Sequence, residues 1–166
     1  NRSYKHFCSH RQTPPEKESI YPAVTRNGSI IYFAHPIFSM YHRHGARVYK
    51  QLVVNALRLL LPDKLVETNA PTTAHMVLNY QEPYNRHVLH ILHYIPQRRS
   101  EEIDIVEDVI PLYDVDVKVK LPLKPERVYC APQGRQLDFE YADGYVRVVV
   151  PEVNGHEMVV FEQGVK

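Results

Sequence analysis

Ten histidines are the residues best equipped for chemistry in this chain, and three groups of them are closely spaced. His6-x-Cys8-x-His10 is the tightest. That spacing is not a usual zinc signature and no fourth ligand is evident, so it reads as a polar loop and no metal site is expected. His87-x-x-His90-x-x-His93 would share a face on a helix. On a strand, alternation turns His90 away from His87 and His93, and such imidazoles are then expected to be partly buried and hydrogen-bonded. His42-x-His44 stands just before a predicted helix beginning at Gly45. With Arg43, this pair would lie where a helix N-terminus gathers anions.

Carboxylates come next. Glycoside hydrolysis needs two of them held across the scissile bond, and Glu101, Glu102, Glu107 and Asp108 qualify by residue type. A run of this kind is also the signature of a solvated surface loop, which is the reading adopted. Cys8 and Ser9-His10 supply nucleophile and base types, but sequence neighbours seldom have triad geometry. Six glycines form no phosphate-binding loop. No self-contained active site emerges, and no cofactor is expected.

The elements that would position these residues change character along the chain. Residues 9–28 have loop composition, with Pro14, Pro15, Pro22, Asn27 and Gly28. Asn27-Gly28 launches Ser29–Ala34, an apolar run without alternation that predicts a parallel-sheet strand covered on both faces. His35-Pro36 ends the run, Ile37–His44 reads as a linker, and Gly45–Leu61 reads as an amphipathic helix. Its apolar positions are Tyr49, Leu52, Val53, Ala56, Leu57 and Leu60. One such strand and one helix cannot close a two-sided sheet, so residues 1–62 predict the incomplete end of an α/β domain.

From residue 63 the period becomes two. Strands are predicted at Leu65–Thr68, Ala74–Tyr80, His87–Ile95, Val115–Leu121, Arg127–Cys130, Gln136–Tyr141, Tyr145–Val150 and Glu157–Phe161. Ala142-Asp143-Gly144 predicts a tight hairpin. Asn154-Gly155 is another turn signal, with Pro151 lengthening that connection. Gln97–Asp114 reads as a long acidic connection, pinned to the core by Ile103, Ile105, Val109 and Ile110. The whole of 63–166 predicts an antiparallel β-sandwich, which gives the chain a mixed fold class.

Composition narrows the function classes. Residues 1–62 carry nine basic against two acidic side chains, net +7, and the remainder eleven against seventeen, net −6. The basic residues are scattered and not interleaved with aromatics, so nucleic acid is not expected as a partner. No apolar run approaches the roughly 20 residues of a membrane span. No membrane association is expected, and a cytoplasmic location is. Two cysteines in 166 residues, Cys8 and Cys130, exclude a disulfide scaffold but not one bridge. The chain opens with Asn1, not Met, and is expected to be a piece of a longer polypeptide. A free-standing carbohydrate-binding module is the alternative class, with Tyr80, Tyr84, Tyr94, Tyr113 and Tyr145 available for sugar contacts.

Several stretches form a set. They are His6–His10, Ile31–Phe38, Tyr49–Pro62, Val88–Arg99, Ile103–Leu112 and Val150–Val160. Together they resemble the C-terminal region of bacterial glycoside hydrolases related to β-galactosidases with a trimerisation domain, some of whose relatives are labelled α-L-fucosidase-like. The resemblance implies a (β/α)₈ catalytic barrel, then a glutamine-amidotransferase-like α/β domain used for trimerisation, then a small β-sandwich. This chain would match the end of the second domain and all of the third. The barrel with its catalytic carboxylates has no counterpart here, so no catalytic residue is carried over and the chain alone is expected to be inactive. The implied partners are the barrel of the parent chain, other copies in a homo-oligomer, and a carbohydrate. His10, His35, His42, Arg43 and His44 are the candidates to stand near substrate, through loops that reach a neighbouring subunit.

Overall fold

The computed structural model describes residues 17–164, and the chain divides into two compact units between Asp63 and Lys64. His6, Cys8, Ser9 and His10 lie outside the described residues.

In the first unit, β1 (Val24–Asn27) and β2 (Ile30–Phe33) form an antiparallel hairpin with Asn27 opposite Ile30. The two-residue loop Gly28-Ser29 holds Gly28 at φ 55°, the positive value that primed hairpin turns require and glycine reaches without a Cβ clash. This corrects the expectation of a parallel strand covered on both faces, since Ile30 and Tyr32 are exposed. A four-residue apolar run does not reveal its partner, and the residues just upstream, read as loop, supply one. The supposed linker is also a helix, α1 (Ile37–His44), entered through Pro36 and ended by Gly45 in the left-handed conformation, whose N–H bonds to the Tyr41 carbonyl. Proline fixes φ at a helix start and glycine accepts the αL cap, so both breakers bound a helix here. The predicted long helix follows as α2 (Arg47–Leu60).

The second unit is a sandwich of two antiparallel sheets. Its strands are β3 (Val66–Thr68), β4 (Ala74–Gln81), β5 (Arg86–His93), β6 (Gln97–Arg98), β7 (Asp104–Ile105), β8 (Leu112–Lys120), β9 (Arg127–Ala131), β10 (Arg135–Gln136), β11 (Phe139–Ala142), β12 (Tyr145–Val153) and β13 (His156–Glu162). One sheet runs β10-β9-β13-β5-β4 and the other β11-β12-β8-β3, while β6 and β7 pair by themselves. Alternation explains the core. Val115, Val117 and Val119 of β8 and Val146, Val148 and Val150 of β12 point inward against Leu89, Ile91, Val159 and Phe161 of the other sheet. Burying each such side chain contributes about 1.5–3 kcal/mol. The β11–β12 hairpin turns through Asp143 at φ 53° and Gly144 at φ 78°, as the Asp-Gly pair predicts.

Three further expectations in this unit need correction. Gln136–Tyr141 is not one strand. β10 joins the first sheet and β11 the second, and the chain crosses between them at Leu137, which is buried and donates its N–H to the Val128 carbonyl. Pro151 lies inside β12, beyond the last residue that β11 pairs, and the Asn154-Gly155 connection is short. A proline without an N–H fits where one flank of the strand is unpaired. Ile103, Ile105, Val109 and Ile110 do not pin the acidic segment, because all four are exposed. The segment is tied instead by the small β6–β7 pair, by ion pairs from Arg98 to Asp104 and Arg99 to Glu107, and by the Ile110 carbonyl. Among the described residues, no helix is long and apolar enough to cross a membrane.

Candidate functional site

The first unit presents apolar surface that its described residues do not cover. α2 has the predicted apolar stripe, yet none of its residues is buried, and Leu52, Leu57 and Leu59 are exposed. Ile37 is the only buried apolar side chain among the described residues of this unit. Between α1 and α2 lies a cavity of about 240 Å³ lined by Ile37, Phe38, Tyr41, Tyr49, Val53 and Val54, with Lys50 at its side. Phe38 and Tyr41 on its wall are themselves exposed. Such a surface suits contact with other polypeptide.

The predicted substrate-proximal residues are separated by the same helices. His35 precedes α1, whereas His42, Arg43 and His44 form its last turn, about 10 Å away along the axis at 1.5 Å per residue. They belong to a helix of their own and not to a linker, and Gly45 and Ala46 separate them from the start of α2 at Arg47. They lie at the negative end of α1, where cations are favoured. All four are exposed, and His10 lies outside the described residues.

The sandwich carries two clefts that share Arg135 and Pro151. One, about 590 Å³, is lined by Arg135, Asp138, Phe139, Glu140, Arg147 and Val149 among others. The second, about 320 Å³, is lined by Cys130, Gln133, Glu152, Asn154, His156 and Glu157 as well. Arg147 is committed to Asp116, donating to both carboxylate oxygens at 2.7–3.2 Å. That hydrogen bonding holds the Asp116 carboxyl below its usual range. Glu157 behaves oppositely. Burial pushes its carboxyl up, partly opposed by the Met158 N–H that it accepts at 3.0 Å. Cys130 is free, and burial pushes its thiol up to about 11, so it stays protonated and is a poor nucleophile. The hydrogen-bonding groups here suit a neutral polyhydroxylated ligand better than covalent chemistry. Sequence reading missed this site. The signal available was the Asn154-Gly155 turn, which brings Glu152 and His156-Glu157 to one end of the sandwich.

Strand alternation places the other histidines. His93 is buried on the inner side of β5, with Nε2 3.0 Å from Thr73 Oγ1 and Nδ1 2.9 Å from the Ile110 carbonyl. His87 lies on the same side, its ring 4.7 Å from that of Tyr80. Its Nδ1 is buried without a partner, and burial pushes its pKa down. His90, on the other side, meets His156 of β13, with Nδ1 and Nε2 3.1 Å apart. Among the described residues no group of three or more His, Cys, Asp or Glu could hold a metal ion. Glu101, Glu102, Glu107 and Asp108 are all exposed on the β6–β8 segment and line neither of these two clefts. Of the tyrosines, Tyr80 donates to Asn85, Tyr145 donates to the Lys64 carbonyl, and Tyr84 lies under the Arg86 guanidinium. Tyr113 and Tyr94 are exposed without such ties to a cleft.

We found no matching family model and no matching curated protein. Among solved structures, the chain is similar to α-L-fucosidase isoenzyme 2 from Paenibacillus thiaminolyticus, with 34% identity and a TM-score of 0.89. The match covers 99% of this chain and 25% of that one. The chain thus spans about a quarter of the length of that enzyme, and both of its units have counterparts in one segment of a glycoside hydrolase.

Proposed function

We propose that this chain is a non-catalytic, structural part of a larger glycoside hydrolase, whose first unit packs against the rest of that enzyme. The observation that carries the reading is the 34% identity along 99% of this chain to one quarter of an α-L-fucosidase. The uncovered stripe of α2 and the apolar cavity beside it support it, because three quarters of the relative lies outside the match and supplies polypeptide to cover them. In this reading the first unit completes a glutamine-amidotransferase-like α/β layer with strands from elsewhere, and copies assemble around it in a β-galactosidase-like, bacterial, cytoplasmic enzyme of carbohydrate metabolism. A free, buried Cys130 fits a reducing compartment. His10, His35, His42, Arg43 and His44 belong to the segments proposed to approach a neighbouring subunit's substrate.

The test compares hydrolysis of aryl α-L-fucosides and β-galactosides by the 166-residue chain alone and by the longer polypeptide that contains it. Turnover only by the longer polypeptide is expected. Turnover by the short chain would overturn the reading. A carbohydrate-binding module is the second reading, favoured by the cleft of about 590 Å³, which mixes charged and apolar side chains. Titration of the chain with galactosides and fucosides distinguishes it, since a purely structural part gives no saturable binding at millimolar sugar.

A further inference from the structure

We infer that His90 and His156 form a two-histidine site for a divalent first-row transition ion of the zinc and nickel type on the outer face of the five-stranded sheet. The two residues come from neighbouring antiparallel strands. His90 is opposite Met158 and His156 is opposite Leu92, so the imidazoles sit diagonally on one face. Their nearest ring nitrogens are 3.1 Å apart, with ring planes within 5° and centroids 5.3 Å apart. Two nitrogens each about 2.0–2.1 Å from one ion are separated by about 3.0 Å at a right angle and about 3.3 Å at the tetrahedral angle. The observed separation is close to that bite with the backbone as it stands, and a turn of the rings is what points both lone pairs at one ion.

The backbone is also well held. β5 and β13 are interior strands of their sheet. The turn that delivers His156 is fixed by the bond from the His93 N–H to the Gly155 carbonyl at 2.7 Å. Gly155 itself has φ 74°, and a Cβ there would meet the Tyr94 hydroxyl at 2.7 Å, so only glycine closes this turn unstrained. His156 is exposed and His90 half-buried. The rings can therefore turn about χ2, a broad torsion, to aim both lone pairs at solvent, from which waters complete the coordination shell.

The proton count balances. In the metal-free pair one nitrogen donates to the other, and each neutral ring keeps a single N–H. Metal binding needs lone pairs on His90 Nδ1 and His156 Nε2, which places the ring protons on His90 Nε2 and His156 Nδ1. At most a tautomer shift through solvent is required, with no net proton release from the neutral pair. Hard, oxygen-preferring ions such as Mg²⁺ are poorly served by two imidazoles.

The test is calorimetric titration of the untagged full chain with Zn²⁺ and, separately, Ni²⁺, with Mg²⁺ as control. It is made in a background where His6, Cys8 and His10 are replaced by serine, so that the N-terminal cluster does not contribute. One Zn²⁺ per chain is expected, weakened at least about tenfold in His90→Asn and in His156→Asn, since losing even an outer-shell partner of a metal costs about 10–100-fold. As a check that needs no variant at these positions, Ni²⁺ should broaden the His90 and His156 ring resonances ahead of those of His75 and His93. No Zn²⁺ binding, binding by either variant as tight as with both histidines present, or broadening that spares these two rings would overturn the inference.

Discussion

His93 donates from Nδ1 to the carbonyl oxygen of Ile110 across 2.9 Å, joining the inner side of β5 to the end of the acidic segment. Because a carbonyl only accepts, the ring proton sits on Nδ1, and Nε2 accepts from the Thr73 hydroxyl at 3.0 Å. A side chain 2% exposed thus has both nitrogens satisfied. His93→Phe removes both bonds and leaves the Ile110 carbonyl and the Thr73 hydroxyl without this partner. We expect a loss of about 1–3 kcal/mol in chemical denaturation. Faster amide exchange over residues 97–112 should accompany it, and unchanged exchange there would show that other contacts hold the segment.

The Tyr129 hydroxyl donates to Glu162 Oε1 at 2.7 Å, and the Arg127 guanidinium lies 4.4 Å above the Tyr129 ring. That hydrogen bond, with help from Arg127, holds the Glu162 carboxyl below its usual range. Tyr129→Phe keeps the ring but removes the donor. The Glu162 titration followed by NMR should move up toward the ordinary carboxylate range, with a stability loss of about 1 kcal/mol.

Asp116 and Glu157 should give opposite pH dependences. The folded-state pKa of Asp116 is depressed, so its contribution is present above the unfolded value and is lost as pH falls through the folded one. For Glu157 the folded value is raised, so stability is favoured while the group is protonated and declines as pH rises through the folded value. Glu157→Gln is therefore expected to raise stability near pH 7, by less than about 1 kcal/mol after solvent screening. The gain should vanish in acid, whereas Asp116→Asn should lower stability at pH 7 and be neutral in acid. Thermal melts across pH 3–8 check both signs.

Phe161 is fully buried between the two sheets. Phe161→Ala leaves a cavity where the sheets meet and should cost about 3–5 kcal/mol. Urea denaturation would register the loss as a lower midpoint at unchanged slope.

Leu52 and Leu57 stand exposed on α2. If this face normally meets other polypeptide, the isolated chain should self-associate at micromolar concentration, and Leu52→Lys with Leu57→Lys should return it to monomer by light scattering. Monomeric behaviour of the unaltered chain would count against the uncovered face as an association surface.

Much of the second unit was legible in advance. The Val115-x-Val117-x-Val119 and Val146-x-Val148-x-Val150 patterns report their own inward face, and Asp143-Gly144 reports its own turn. Breakers were less readable. Pro36 and Gly45 punctuate a chain identically whether they enclose a linker or a helix, and α1 was missed for that reason. The polar cleft was invisible because Arg135 and Glu157 have no periodic relation in sequence.

What the sequence determined by itself is the alternation of strand faces and the amphipathic stripe of α2, since both depend only on the spacing of apolar residues along one element. Tertiary structure alone decided the partners. It paired Ile30–Phe33 antiparallel with Val24–Asn27, sent β10 and β11 into different sheets, and brought His90 within hydrogen-bonding distance of His156, 66 residues away. Side-chain direction is a local consequence of backbone geometry, whereas pairing is chosen by the burial available to the whole chain.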